Sequence, residues 1–462
     1  MNIKNIYVFS TICTAFMTSG CGSEKDTVNP YSSIKSKTEI ELLNRTLSVK
    51  EKKYPGDGRA LVMNNRFKWM QRIELDEALS SVAGKVTFQP VIAVLDSGID
   101  YEHPAFENRI VDTSIYSTRC DGDSRGCDTS EYQFPKRTLG DGNIFPIGTE
   151  GPGRNCISDA QGDSLKCFHG THVAGIAAGF DPDANVFGVC PTCRILPVKV
   201  VKNDGNINDD AIIGALEYIA DLKRAGLPIR IINCSFGKFI SSERVNRAIK
   251  NLSSSFDDDI LIISSAGNEN TSLRAFPAAL SNVISVANVN SSNLKKDEKS
   301  NFGPWVDISA PVGRCGYYDD DTGYGIVSSI PGTGWNSMCL NGTSMAAPMV
   351  SGVAGLVLST DPGIKASELK ERLVKSADAK GLYESNPQFV TNYKERSIML
   401  LGSGILNARN AVNNRTFSPD SAKEAAKRVD VKCAAIGISP VSRISLLFFL
   451  AFPIFFAIKK YP

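Results

Sequence analysis

A serine followed by a long run of small and apolar residues is the feature that most constrains the fold of this chain. Ser344 comes after a Gly-Thr pair, and residues 345–356 are nearly all small or apolar, which predicts a buried helix with the serine at its amino end. N–H groups without intrahelical partners and the helix dipole favour a developing negative charge there. Pro348 is expected in the first turn, where no intrahelical hydrogen bond is lost. Taken alone, Gly-Thr-Ser is also typical of a turn that caps an ordinary helix.

Two further segments place reactive side chains at the ends of predicted elements. The five apolar residues 91–95 lead into Asp96 and a Ser-Gly turn, as in a parallel strand that carries an acid at its carboxyl end. His169 begins a second small-residue segment, 169–179, which also predicts a buried helix. Few groups could therefore serve as a general base near neutral pH. The chain has three histidines: His103, His169 and His172.

The order Asp96, His169, Ser344, each in its own motif, resembles the subtilisin-like serine proteases of the subtilase family over about residues 71–412. The resemblance implies a three-layer α/β/α fold around a mainly parallel sheet, with a long insertion between Asp96 and His169. It also implies that Ser344 is the nucleophile of an endopeptidase, that His169 is its general base and that Asp96 orients the imidazole. The alternative is a catalytically silent surface binding protein with the same fold.

The other two histidines have simpler interpretations. His172 is a rival for the general base, but the family's catalytic position is the first histidine of His-Gly-Thr-His, so His172 is expected to be a buried structural residue. His103 precedes Pro104 and is expected in the loop after the Asp96 strand.

The resemblance also assigns an oxyanion donor and a substrate site. Asn268 matches the Ala-Gly-Asn turn that supplies a side-chain donor beside the N–H of Ser344, although Asn is also an ordinary turn residue. An extended substrate is expected to pair with two edges and to place an apolar or aromatic side chain in a pocket. The residues assigned to these edges and to the pocket are Gly205, Ser235, Phe236, Gly237, Ser265, Ala266 and Gly267.

The balance of charges excludes one class of partner. The chain has 51 Lys and Arg against 49 Asp and Glu, a net charge of +2, so no basic surface for nucleic acid is expected. The expected partners are protein or peptide substrates, and the chain is expected to be a monomer without a catalytic cofactor. The family often binds structural calcium, for which 257–259 or 319–321 could contribute ligands. Such acidic runs are more often solvated loops, so no metal site is assigned.

Most of the 12 cysteines lie close to another cysteine in sequence, which favours local disulfides in an oxidising compartment. The Cys-Pro-Thr-Cys segment at 190–193 could instead form half of a redox or zinc site, but no second pair lies at ligand spacing. Cys234, inside an apolar strand, is expected to be a buried free thiol. The four expected pairs are Cys120/Cys127, Cys156/Cys167, Cys190/Cys193 and Cys315/Cys339.

Both ends of the chain are apolar and indicate export to a bacterial cell envelope or surface, with release also open. Residues 1–20 read as a signal peptide, and Cys21 follows a sequence that resembles a lipoprotein cleavage site, with Thr18 where Leu is usual. Residues 21–70 are expected to be a prosegment or linker, and 413–433 a charged linker. Residues 434–462 resemble a C-terminal sorting signal, with a permanent membrane helix as the alternative.

Overall fold

The computed structural model describes residues 68–114, 126–129, 167–181, 186–202, 205–315, 325–331, 337–393 and 396–416. The strands are β1 Val91–Asp96, β2 Cys127–Asp128, β3 Phe180–Asp181, β4 Val186–Phe187, β5 Arg194–Lys199, β6 Ile229–Cys234, β7 Leu261–Ser265, β8 Val283–Val289, β9 Ile308–Pro311, β10 Ile326–Ser329, β11 Ser337–Leu340, β12 Val390–Tyr393 and β13 Arg396–Met399. The α-helices are α1 Lys68–Arg72, α2 Leu75–Val82, α3 Phe168–Ala178, α4 Asp209–Arg224, α5 Glu243–Ser255, α6 Thr343–Thr360, α7 Ala366–Ser376, α8 Ala379–Ser385 and α9 Ala408–Val412. Single 3-10 turns lie at Pro104–Phe106 and Pro387–Phe389.

Seven strands form one sheet in the order β2-β5-β1-β6-β7-β8-β9, and every neighbouring pair is parallel. The carboxyl ends of these strands therefore meet at one edge of the sheet. There Asp96 at the end of β1 lies level with Lys199 of β5, and Leu95 lies level with Cys234 of β6. The prediction of a parallel strand that ends at Asp96 is confirmed.

Both faces of the sheet are covered by helices, which explains why the strands are continuous apolar runs. In β1, Ile92 and Val94 pack in the core shared with α2, α3, α6 and α7, whereas the alternate residues Ala93 and Leu95 pack against α4 and α5. This alternation follows from the two-residue period of a strand. The structure confirms the predicted three-layer α/β/α arrangement.

Helices α3 and α6 lie against each other because small residues line their contact surfaces. A Cβ atom added at Gly352 of α6 would lie 2.9 Å from the carbonyl oxygen of Ala177 in α3. One at Gly355 would lie 2.2 Å from Sγ of Cys193, in the segment between β4 and β5. The expected position of Pro348 was wrong in one respect. Helix α6 begins at Thr343, so Pro348 is the sixth residue and lies inside the helix instead of in its first turn.

The disulfides agree with the local pairing expected from the sequence. Bonds join Cys190 to Cys193 and Cys315 to Cys339, while Cys234 is a buried free thiol. The 190–193 segment is therefore neither a zinc site nor a free dithiol in this structure. Cys127 and Cys167 are also disulfide-bonded, and their expected partners at 120 and 156 lie outside the described residues.

One helix in the described part of the chain is apolar and long enough to cross a membrane, namely α6. However, 89% of it is buried inside the protein, where it forms the centre of the larger core. The apolar segments near the two termini, including Cys21 and residues 434–462, lie outside the described residues.

Candidate active site

Asp96 and His169 contact each other at the carboxyl edge of the sheet. Nδ1 of His169 lies 2.7 Å from Oδ1 of Asp96, which also accepts a hydrogen bond of 2.7 Å from the N–H of Ser97. Asp96 is 2% exposed and His169 is 39% exposed, so the imidazole lies between the buried carboxylate and solvent. With the Nδ1 proton held by Asp96, Nε2 of His169 is left as the acceptor.

The amino end of α3 approaches the end of β1 closely because residue 170 is glycine. A Cβ atom at Gly170 would lie 2.2 Å from the carbonyl oxygen of Gly98 and 3.2 Å from Oδ1 of Asp96. The N–H of Gly170 donates to Oγ of Ser97 at 3.0 Å, and Thr171 Oγ1 accepts from the N–H of Asp100 at 2.9 Å. These contacts fix the position of His169 relative to Asp96.

Two opposing influences act on the pKa of His169. Burial lowers the pKa, but the charge of Asp96 and its hydrogen bond stabilise the imidazolium more strongly, so the net shift is upward. This environment allows His169 to accept a proton and to hold it beside a carboxylate.

His172 lies one helical turn further along α3 in a different environment. It is fully buried, and its Nε2–H is shared between the carbonyl oxygens of Ile326 in β10 at 3.1 Å and Met338 in β11 at 3.0 Å. Burial lowers its pKa to about 3, which keeps the ring neutral. Hydroxyls of β10 in turn donate to α3, Ser328 to the carbonyl of His172 and Ser329 to that of Thr171. His172 therefore connects the hairpin β10–β11 to α3. His103, by contrast, caps the 3-10 turn after β1, as its expected loop position requires.

Ser344 is the second residue of α6, as the sequence predicts. Its hydroxyl donates to the carbonyl oxygen of Ser235 at 3.1 Å, and its own carbonyl oxygen accepts from the Ser235 hydroxyl at 2.9 Å. Within the described part of the chain, no hydrogen bond joins Ser344 to His169. The N–H of Ser344 lies in the first turn of α6, where it has no intrahelical partner.

Asn268 lies beside the start of α6 with its amide orientation fixed. Its Oδ1 accepts from the N–H of Thr343 at 2.9 Å and from Oγ1 of Thr343 at 3.0 Å. Because only the oxygen can accept, Nδ2 must point the other way, and among the described residues it has no partner. Asn268 is exposed, so Nδ2 can donate to a bound group.

A buried asparagine holds the turn that carries Asn268. Asn301 accepts at Oδ1 from the N–H groups of Glu269 and Thr271, and its Nδ2 donates to the carbonyl of Ala266 at 2.9 Å. Gly267 has φ +98°, and a Cβ there would lie 2.4 Å from Nδ2 of Asn301. No local sequence pattern marks Asn301 or Thr343 as part of this site, because both act through contacts between distant segments.

The segment after β6 forms an edge that a further strand could join on one side, where the Ser235 carbonyl accepts from the Ser344 hydroxyl. The carbonyl of Phe236 faces β7, where it accepts from Oγ of Ser264 at 3.4 Å. Ser235 and Gly237, the alternate residues, therefore direct their backbone groups to the other side. Lys238 pairs with Phe276 through two hydrogen bonds of 3.0 and 2.8 Å, so the free edge ends at Gly237.

The expected substrate residues are divided between two places. Gly205, Phe236 and Gly237 line one cavity of about 190 Å³, together with apolar side chains such as Ile207 and Val245. Residues 265–267 do not line this cavity, so a pocket formed by Phe236 together with residues 264–267 stays a prediction. Ser265 ends β7 and is buried with Ala266, and Gly267 begins the turn that carries Asn268. Phe236 lines the cavity and packs against the core beside α4 and α5.

The acidic run 257–259 is engaged in protein contacts. Asp257 lies 2.6 Å from Nζ of Lys365, Asp258 accepts from the N–H of Ser367, and Asp259 pairs with Lys223 and with Arg230. In the described residues, no group of three or more His, Cys, Asp or Glu side chains could hold a metal ion. Residues 319–321 lie outside the described residues.

Comparison with known proteins agrees with this geometry. The model of the Subtilase family matches residues 89–404, more than half of the chain. Subtilisin DY from Bacillus licheniformis is 32% identical over 213 residues, which covers 45% of this chain and 70% of that protein. An alkaline protease from Shouchella clausii is 28% identical over 340 residues, covering 73% of this chain and 75% of that protein. The solved structure of a protease from Pseudoalteromonas arctica PAMC 21717 shares the fold, with a TM-score of 0.54 and 22% identity over 78% of this chain and 99% of that one.

Proposed function

The chain belongs to the subtilase family and is a subtilisin-like serine endopeptidase, and we propose that Asp96, His169, Ser344 and Asn268 form its catalytic site. The observation that carries this proposal is the 2.7 Å contact of Asp96 with His169. The amino end of α6 lies at the same edge of the sheet, because Ser344 is hydrogen-bonded to Ser235, directly after β6, the strand next to β1. The three residues also follow the order of the family motif.

In the proposed reaction, the substrate first displaces the Ser344 hydroxyl from the Ser235 carbonyl. A main-chain N–H of the substrate takes that acceptor, and the hydroxyl turns to Nε2 of His169. Ser344 Oγ then attacks the peptide carbonyl while its proton passes to His169. His169 returns the proton to the leaving amine, and a water molecule hydrolyses the acyl-enzyme by the same route. Asp96 stabilises the imidazolium in both steps.

The oxyanion of each tetrahedral intermediate is proposed to bind between two donors. One is Nδ2 of Asn268, whose orientation Thr343 fixes, and the other is the N–H of Ser344 at the positive end of α6. Neither donor needs to reorganise during the reaction, because their hydrogen-bonded neighbours already hold them in place. Gly342 has φ +128°, and a Cβ there would lie 3.3 Å from the amide of Asn268, so a larger residue would crowd this site.

The substrate is proposed to bind as an extended strand along Ser235 and Gly237, with Gly205 on the opposite side. The cavity between these edges is lined mainly by apolar groups, including Phe236, Ile207 and Val245, and suits an apolar side chain of the substrate. The charge at its rim is already paired, since Lys238 contacts Asp209. This arrangement supports proteins and peptides with apolar residues near the cleaved bond as substrates.

We also propose that the protein is exported and attached to a bacterial cell envelope through its ends. Disulfides such as Cys190–Cys193 and Cys315–Cys339 are typical of oxidising compartments and support export. The assignments of a signal peptide, of a lipid at Cys21 and of a sorting signal after Cys433 are based on sequence alone.

The proposal is tested by labelling the nucleophile. The purified protein should hydrolyse casein and a chromogenic peptide, and phenylmethylsulfonyl fluoride should abolish both activities with one adduct, which peptide mapping places on Ser344. The Ser344→Ala protein should keep its circular dichroism and melting temperature but lose turnover and labelling. An adduct on another residue, or turnover by folded Ser344→Ala, would refute the assignment.

A further inference from the structure

Pro348 leaves the carbonyl of the proposed nucleophile without its normal helical partner. In an α-helix the carbonyl of residue i accepts from the N–H of residue i+4, and residue 348 is four positions after Ser344. Proline has no N–H, so this bond cannot form. The hydroxyl of Ser235 donates to the Ser344 carbonyl instead, at 2.9 Å, from the segment after β6.

The Ser235 hydroxyl is oriented by a buried chain of hydrogen bonds. Ser351 Oγ donates to Oδ1 of Asn233 at 2.9 Å, and Nδ2 of Asn233 donates to Oγ of Ser235 at 3.0 Å. Ser351 and Ser344 are two turns apart on α6, so they lie on the same side of the helix. Asn233 and Ser235 are two positions apart at the end of β6, so their side chains also point to the same side. Asn233 and Ser351 are fully buried, and Ser235 is 4% exposed. Because Asn233 Nδ2 can only donate, the Ser235 proton is directed to the Ser344 carbonyl.

We propose that Ser235 is a positioning residue that acts through its side chain on the main chain of Ser344. Its hydroxyl replaces the helical donor that Pro348 removes and thereby fixes the peptide group that follows Ser344. This contact restricts rotation about the Cα–C bond of Ser344 and thereby helps to hold the residue, with its side chain, in one position relative to His169. The role is separate from substrate pairing, which uses the backbone of Ser235. The inference rests on the proposed function of Ser344.

The test compares four proteins: wild type, Ser235→Ala, Pro348→Ala and the double variant. Ser235→Ala removes the donor but keeps the backbone edge, so kcat should fall about tenfold, equivalent to about 1.4 kcal/mol, with KM changed less than twofold. Pro348→Ala supplies a backbone N–H for the same carbonyl. The double variant should therefore recover most of the kcat that Ser235→Ala loses.

Ser359→Ala is the matched control, because Ser359 is a buried serine of the same helix that donates to the carbonyl of Gly355. It should leave kcat unchanged. The rate of inactivation by phenylmethylsulfonyl fluoride, which does not need the substrate edge, should follow kcat across the set. Melting temperatures show whether each variant folds. If Ser235→Ala does not fold, Ser235→Cys replaces it, because a thiol has nearly the same shape but is a weak donor, and the same fall in kcat and recovery with Pro348→Ala are expected.

Three outcomes would overturn the inference. The first is an unchanged kcat in Ser235→Ala, and the second is a rise in KM without a loss of kcat. The third is an equal loss in the single and double variants, because the Ser344 carbonyl would then not be the group that Ser235 serves. An inactive wild-type protein would instead contradict the proposed function, so the two failures are distinguishable.

Discussion

Ser235 and Ser344 exchange hydrogen bonds, each hydroxyl donating to the other residue's carbonyl, at 2.9 Å from Ser235 and 3.1 Å from Ser344. One bond holds the main chain of Ser344, and the other occupies the acceptor that a paired substrate would use. In the proposed mode of substrate binding, the Ser235 carbonyl therefore connects two events, the binding of the substrate and the release of the Ser344 hydroxyl.

This connection predicts that one substrate N–H matters for kcat as well as for KM. A good peptide substrate methylated at the amide N–H of the residue before the cleaved bond cannot displace Ser344 from the Ser235 carbonyl. We expect kcat/KM to fall by about 10–100-fold, consistent with the loss of one hydrogen bond and a less available nucleophile. Methylation of the amide one residue further from the cleaved bond is the control, because that N–H is not expected to face Ser235. Equal kcat for the two peptides would contradict the connection.

The raised pKa of His169 predicts the acid limb of the pH profile. Only the neutral imidazole can accept the Ser344 proton, so activity should rise with pH through a midpoint above about 6.5, the usual value for histidine. Asp96→Asn removes the charge that raises this pKa, so the midpoint should move to lower pH and kcat should fall by about 10⁴-fold. Measurement of kcat/KM from pH 5 to 9 tests both statements. If the midpoint pH of this rise in kcat/KM were the same in Asp96→Asn as in the wild type, a group other than His169 would control it.

His172 should matter for stability and not for the chemical step. His172→Ala leaves the carbonyls of Ile326 and Met338 without their donor and creates a buried cavity, so we expect a loss of about 2–5 kcal/mol in the free energy of unfolding. His169→Ala should leave the free energy of unfolding nearly unchanged but abolish most of kcat. Urea unfolding and kcat, measured on both variants below the melting temperature of the weaker one, separate the two roles. An equal loss of kcat in folded His172→Ala would make it a candidate base.

The sequence predicted the elements whose pattern is local. The apolar run before Asp96 and the small-residue segments after His169 and Ser344 became β1, α3 and α6, because residues buried on all sides are recognisable without their partners. The bond of His172 to Met338 spans 166 positions, and no local pattern reports which carbonyls meet a buried imidazole. The hairpin β10–β11 was missed for the same reason.

Two polar residues within apolar segments indicate a buried hydrogen bond. Asn233 lies inside the buried strand β6, and Ser351 lies inside the buried helix α6, where an unpaired polar group would be costly. Such residues indicate a hydrogen-bonded partner, and here each is the partner of the other. The cavity that Phe236 lines also includes residues of distant segments, such as Gly205 and Val245, and local composition and spacing do not report which segments meet.

Asn268→Ala tests the oxyanion site. The Asn268 amide contacts the protein through Oδ1 at Thr343, while Nδ2 is left for the substrate, so the substitution should act mainly on the transition state. We expect kcat to fall by about 10²–10³-fold, the range measured for the oxyanion donor of subtilisin itself, with little change in KM. Asn301→Ala is a useful contrast, because it should destabilise the turn and lower the melting temperature. If Asn268→Ala instead raised KM by about 10²–10³-fold and left kcat unchanged, Asn268 would contribute to binding of the ground state and not of the transition state.

The last prediction concerns attachment to the envelope. The chain has a net charge of +2, which gives weak attraction to anionic lipid. Helix α6, the one described helix that is long and apolar enough to span a membrane, is buried in the core. Attachment is therefore expected to depend on the ends of the chain, at Cys21 and at residues 434–462. Deletion of 434–462 together with Cys21→Ser, behind a signal peptide that is still processed, should release active enzyme into the soluble fraction.

The deletion of 434–462 alone and Cys21→Ser alone show how much each end of the chain contributes to membrane attachment. If Cys21 carries a lipid, the deletion alone should leave part of the enzyme in the membrane fraction, and Cys21→Ser alone should do the same through the C-terminal segment. Mass spectrometry of the mature protein then distinguishes a cleaved sorting signal, with residues after about Cys433 missing, from a retained membrane helix. Membrane attachment of the double variant at high salt would show that the catalytic domain itself binds the envelope, because electrostatic contacts are screened under that condition and both apolar ends would be gone.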